Sequence, residues 1–239
     1  MVCRLFYGLL QKTNAAIYNV KKSEIIVLVF HEICSEEDTE DKCHFTTIES
    51  FEQFVKTYKN NIFSINEDFC KFKSISNSTK LILTFDDIYE SAYLNGISIL
   101  KKNNIPFTIF VCPDLIGKPG YINKNQLKEL CLMENCEIAF HLNHHFFTRK
   151  MKKDIFLNEI NCSNFENEYG IKCSYFAFPY GSMFASKRFG SKKFLLARYM
   201  KTFSTTFAHM SLSTYMKKRH FLPRMTYSEK TKHLIKIKL

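Results

Sequence analysis

The chain has 239 residues, 46% of them hydrophobic, and 34 Lys+Arg against 23 Asp+Glu give a formal net charge of +11. This length and apolar content allow one large buried core, and α/β barrels of such size are commonly a single domain. No run approaches the roughly 18 apolar residues of a membrane-spanning helix, and no nucleic-acid signature accompanies the basic charge, so composition argues against both a membrane span and a specific nucleic-acid partner.

The first segment, MVCRLFYGLLQKTNAAIYNVKK, is continuously apolar only from Leu5 to Leu10, before Gln11 and Lys12 interrupt it. It lacks a long h-region and a small-residue cleavage site, so residues 1–23 read as a helical lead-in rather than a signal peptide, and the protein as cytoplasmic. Residues 24–239 form the expected domain. EIIVLVF (Glu24 to Phe30) is an apolar, β-branched run of the kind a buried parallel strand shows, and His31 follows it. Thr47 is a plausible N-cap for IESFEQFVKTY, whose Ile48, Phe51, Phe54, Val55 and Tyr58 fall at helical spacing.

LILTF predicts a second strand, Ser91 to Lys102 a helix and Pro106 to Cys112 a third strand. A helix over Asn125 to Leu132, the strand EIAF and one long amphipathic helix over Met151 to Tyr169 follow. SYFAF, a helix near Lys193 to Met200, the strand TFSTTF and finally FLPRMTY complete the order. Repeated strand–helix alternation predicts parallel strands covered by helices. The nine cysteines are odd in number and lack framework spacing, which favours reduced, packed thiols over disulfides.

Three polar clusters stand at the carboxyl ends of predicted strands: Asp86 and Asp87 after LILTF, His141 to His145 after EIAF, and Phe178 to Gly181 after SYFA. In an α/β barrel those ends share one face, where active sites lie. Two carboxylates and two histidines at positions i and i+4 can converge there on one metal ion. Taken singly, each feature also has a plainer reading, since an Asp pair can cap the next helix.

In order and spacing, FHEI, TFDD, ILKKNNIPFTIFV, EIAFHLNHH, FAFPYG and FLPRM make the chain resemble polysaccharide deacetylases of the NodB-homology type, carbohydrate esterase family 4, from about Glu24 to Tyr227. The resemblance implies a distorted (β/α) barrel that removes acetyl groups from N-acetylated sugars. It makes Asp86 the catalytic base and Asp87, His141 and His145 the ligands of a divalent metal ion, with zinc the default. One Asp and two His leave a coordination position open, which suits hydrolysis. It also gives the backbone NH of Tyr180 the role of holding the oxyanion.

Several positions depart from the family pattern. Ile88 stands where glycine is usual, Leu142 where a small hydroxyl residue follows the first metal histidine, and Ala177 where an arginine orients the base. Arg224, from FLPRM, is the candidate to replace that arginine, because a guanidinium can hold a carboxylate bidentately. The family's late Leu-X-His is also absent. His31, His144 and His209 are therefore candidates for the general acid, with His31 best placed because it ends a strand.

The basic charge fits phosphate-linked sugar precursors or peripheral contact with an anionic membrane, against the plainer reading of a solvated face. Two other readings stay open: hydrolysis of another small N-acyl or formamide group, and a degenerate member that binds glycan or a partner without turnover.

Overall fold

The computed structural model describes residues 18–19, 24–39, 43–67, 79–181, 188–189, 192–205, 210–211, 215 and 221–237. The apolar runs form seven strands: β1 (Glu24–Phe30), β2 (Lys80–Asp86), β3 (Phe107–Val111), β4 (Cys136–Phe140), β5 (Tyr175–Ala177), β6 (Lys201–Thr205) and β7 (Leu222–Thr226). Each pairs in parallel with the next, and β7 closes on β1 through Met225↔Leu28 and Thr226↔Val29. The result is a closed parallel barrel with helices, a single domain as expected. A short strand, Met210–Ser211, runs antiparallel to the start of β1.

Period-two alternation divides the apolar side chains into two layers. Ile26, Leu28 and Phe30 of β1 join Leu81, Leu83 and Phe85 of β2 in a layer that includes the helix residues Phe51, Phe54 and Leu100. The intervening Ile25, Val27 and Ile82 pack instead with Phe110, Ala139, Tyr175, Phe203 and Leu222 inside the barrel. Tyr215 and Ile65 belong to this inner cluster, and the Tyr215 hydroxyl donates to the Ile65 carbonyl at 2.9 Å. The same alternation carries Asp86 in line with Ile82, His141 with Ala139, and Arg224 with Leu222. Those side chains are thereby aimed into the barrel.

Among the helices, α1 (Ile48–Tyr58) starts as expected, with Thr47 Oγ1 accepting the Ser50 N–H at 3.2 Å. The helix expected over Ser91 to Lys102 is a π-helical segment, Ala92–Ile97, continued by α2 (Ser98–Lys102). Its Gly96 lies so close to β1's extension that an added Cβ would stand 2.8 Å from Ile33 Cγ1. A capping box from Asn123 and Gln126 starts α3 (Lys124–Cys131), one residue earlier than the expected Asn125.

Two expectations are corrected. The single helix over Met151 to Tyr169 is two helices, α4 (Lys153–Glu159) and α5 (Ser163–Tyr169). At the break, the Asn143 side chain donates to the Asn158 and Asn161 carbonyls, and the Asn161 side chain accepts the Ser163 N–H at the start of α5. Of the helical lead-in expected over residues 1–23, the described Tyr18–Asn19 is a strand paired in parallel with Ile235–Lys236. The rest of that segment lies outside the described residues. A further helix, α6 (Lys192–Arg198), lies between β5 and β6. No helix among the described residues is long and apolar enough to cross a membrane.

Candidate active site

The carboxyl ends of β2, β4, β5 and β7 bring together most of the side chains singled out by sequence. Asp86 is 4% exposed and Arg224 is fully buried. The guanidinium grips the carboxylate bidentately, Nη1 to Oδ1 at 2.7 Å and Nη2 to Oδ2 at 2.7 Å. Arg224 Nη1 also reaches Thr84 Oγ1 at 3.3 Å, and the guanidinium carbon lies 4.8 Å above the Phe110 ring. Burial by itself would raise the Asp86 carboxyl. Arg224, through its charge and its hydrogen bonds, outweighs it and holds the group at about 2, so Asp86 is ionised at neutral pH.

Asp87 faces the two histidines. Its Oδ1 is 3.6 Å from His141 Nε2 and 3.3 Å from His145 Nε2. This oxygen is buried and makes no hydrogen bond among the described residues. Burial and the neighbouring Asp86 push the Asp87 carboxyl well up, against the opposing charge of Arg224. The His141 Nδ1–H donates to the Ala177 carbonyl at 2.9 Å, which turns Nε2 toward Asp87. Burial holds the His141 imidazole down at about 3 and lowers His145 too, leaving both rings neutral and able to ligate at neutral pH. An orphaned buried carboxylate oxygen facing two neutral imidazoles fits a divalent cation, and zinc takes this donor set.

The connecting turns are strained. Asp87, Ile88, Leu142 and Tyr180 all have positive φ, between 54° and 67°. Ile88 occupies that region where the family pattern has glycine, and its buried side chain keeps it there. Gly181 is needed for two reasons: its φ is +64°, and a Cβ would lie 2.7 Å from the Thr205 carbonyl oxygen on β6. Tyr180 is exposed, with its ring 4.6 Å from that of His145.

His31 directly follows β1, and its ring lies 5.1 Å from that of His44. His144 is turned away to Glu159, and His209 lies outside the described residues. Thr84, Glu159 and the Ala177 carbonyl were not singled out by sequence. Thr84 was within reach of the strand alternation, two residues before Asp86. A second donor cluster, Cys162, Glu166 and Cys173, lies around α5. Arg198 Nη2 is 3.0 Å from Cys162 Sγ and pairs with Glu166, so a guanidinium already meets that cluster's charge.

Comparison with known proteins follows the same lines. A polysaccharide deacetylase from Bacillus cereus has a TM-score of 0.69 at 18% identity, over 89% of this chain and 69% of its own. IcaB from Ammonifex degensii has a TM-score of 0.69 at 18% identity, over 87% and 94%. The deacetylase PplD from Streptococcus pyogenes, solved in complex with acetate, has a TM-score of 0.65 at 18% identity, over 84% and 92%. At such identities the structures show a shared fold. A sequence search of curated proteins returns no match. The family model described as polysaccharide deacetylase matches residues 73–196, just over half of the chain and inclusive of Asp86, Asp87, His141, His145 and Tyr180. The chain belongs to the polysaccharide deacetylase family.

Proposed function

We propose that this protein is a metal-dependent hydrolase that removes N-acetyl groups from an N-acetylated sugar. The observation that carries the reading is an ionised, guanidinium-held Asp86 beside the Asp87–His141–His145 donor set. Those three residues would hold a divalent cation, which supplies Lewis acidity at the acyl oxygen. Asp86 takes a proton from the water that attacks the acetamide carbonyl. That proton then passes on toward the leaving amine. His31, at the end of β1, is the proposed donor to the amine, and the backbone NH of Tyr180 the proposed support for the developing oxyanion. One water and one amide give acetate and a free amine.

The surroundings favour a glycan. Phe146, Phe147 and Tyr180 are exposed beside His145, with the Phe147 and Tyr180 rings 5.7 Å apart, offering faces on which a pyranose can stack. The net charge of +11 suits a phosphate-linked precursor of a capsule or lipopolysaccharide pathway, met in the cytoplasm or beside an anionic membrane surface. The non-catalytic alternative draws on Ile88, Leu142 and Ala177. Arg224 takes hold of Asp86 from another strand, which weighs toward turnover.

The test is acetate release from N-acetylhexosamine oligomers and nucleotide-linked N-acetyl sugars, with and without divalent metal. Release that needs metal and disappears in the His141→Ala/His145→Ala variant is expected. Metal uptake without release from any N-acetyl or N-formyl sugar would favour the binding protein instead.

A further inference from the structure

The loop that carries His141 and His145 is fastened by its own Asn143 and His144 and by Glu159, which lies in no motif. Leu142, which replaces the usual small hydroxyl residue, is buried at φ +67° and offers the loop no polar anchor. Asn143 and His144 supply the anchors. The Asn143 N–H donates to the Glu159 carbonyl at 3.1 Å, and its side-chain amide donates to the carbonyls of Asn158 at 2.8 Å and Asn161 at 3.1 Å. These carbonyls lie in the last turn of α4 and just beyond it, where helical partners run out. The Asn143 carbonyl in turn accepts the Asp114 N–H at 3.0 Å.

Glu159 completes the grip. One carboxylate oxygen accepts the His144 backbone N–H at 2.8 Å, and the other lies 2.8 Å from His144 Nδ1. The carboxylate is nearly buried and is spent on the residue immediately before His145. Backbone and ring of His144 are thus fixed together, which limits where the next side chain can point. The break between α4 and α5 serves the same end, since it leaves the Glu159 and Asn161 carbonyls to Asn143.

We infer that Glu159, seconded by Asn143, is a positioning residue for the histidine loop, doing from α4 what a hydroxyl side chain at position 142 would do from within it. The inference rests on Asp87, His141 and His145 being metal ligands. Outer partners that orient ligands typically contribute about 10–100-fold in metal affinity.

Cobalt(II) titration against a competing chelator, followed by the visible absorption of the bound ion, tests this in full-length protein. Glu159→Ala is expected to bind cobalt at least about tenfold more weakly with altered bands, and to lose kcat more than KM. Glu159→Gln, which keeps one acceptor for His144, is expected to fall between it and wild type. Glu168→Gln, at a carboxylate on α5 paired with Lys124 of α3, should bind as wild type does. A purely structural Glu159 would shift the thermal midpoint of the metal-free protein and leave the folded protein's cobalt affinity and spectrum alone. That result overturns the inference, and Glu159→Gln decides it should Glu159→Ala fail to fold. Wild type that takes up no cobalt overturns the ligand assignment and this inference together, whereas equal binding by wild type and both Glu159 variants overturns this inference alone.

Discussion

Asp86 and Arg224 are both sealed inside the barrel and meet through two hydrogen bonds of 2.7 Å. Removing one member of such a pair leaves a bare buried charge, which typically costs about 3–5 kcal/mol, more than the intact pair contributes over an apolar replacement. Arg224→Met should therefore lower unfolding free energy by roughly 3 kcal/mol. Adding Asp86→Asn should recover part of that loss, because a neutral amide needs no counter-charge. Urea denaturation of the two single variants and the double variant checks the coupling, and strictly additive losses would contradict it. Asp86 was legible in sequence because it ends an unbroken apolar strand, and Arg224 because it stands in a late Leu-Pro-Arg. Asn143 and Glu159 were not: their meeting depends on the end of one helix facing one loop, and neither residue type announces a partner at such a distance.

Elements are tied to one another by similarly specific groups. Glu229 Oε1 accepts the N–H of Thr47, the N-cap of α1, at 3.1 Å, and Lys232 pairs with its other oxygen. Burial would raise this carboxyl, but Lys232 and the donors around Thr47 lower it below its ordinary value. A group depressed in the folded state contributes stability above its unfolded pKa, about 4.3 for glutamate, and loses it as pH falls through the folded value. Wild type should thus lose more stability than Glu229→Gln as pH falls below about 5, with the two curves converging at low pH. Because the pair is partly exposed and screened, the difference should stay under about 1 kcal/mol. Denaturation across pH 3 to 7, roughly the range of carboxylate titration, measures it. The start of α1 was legible from Thr47 and the apolar spacing after it. The break between α4 and α5 was not, because Phe156, Ile160 and Phe165 all remain buried and apolar across it, so the pattern reads as one helix while Asn143 makes it two.

At the scale of the molecule, a cation that binds only the folded barrel stabilises it by mass action. At a hundred times its dissociation constant the gain is about 2.7 kcal/mol, which at this chain length raises the thermal midpoint by roughly 5–10 °C. Differential scanning calorimetry with added zinc should show that rise in wild type and none in His141→Ala/His145→Ala. The barrel itself was legible because strand and helix periods alternate, and its order follows the chain: β1 to β7 lie side by side in sequence order, and β7 meets β1 at the seam. That seam has a consequence for biosynthesis. A ribosome releases Asp86, Asp87 and both histidines long before Arg224, so the nascent chain holds its carboxylates without their counter-charge until the last barrel strand emerges. Closure of the wall and neutralisation of the reaction centre are then one event, because the strand that seals the barrel against β1 is also the one that carries the guanidinium to Asp86.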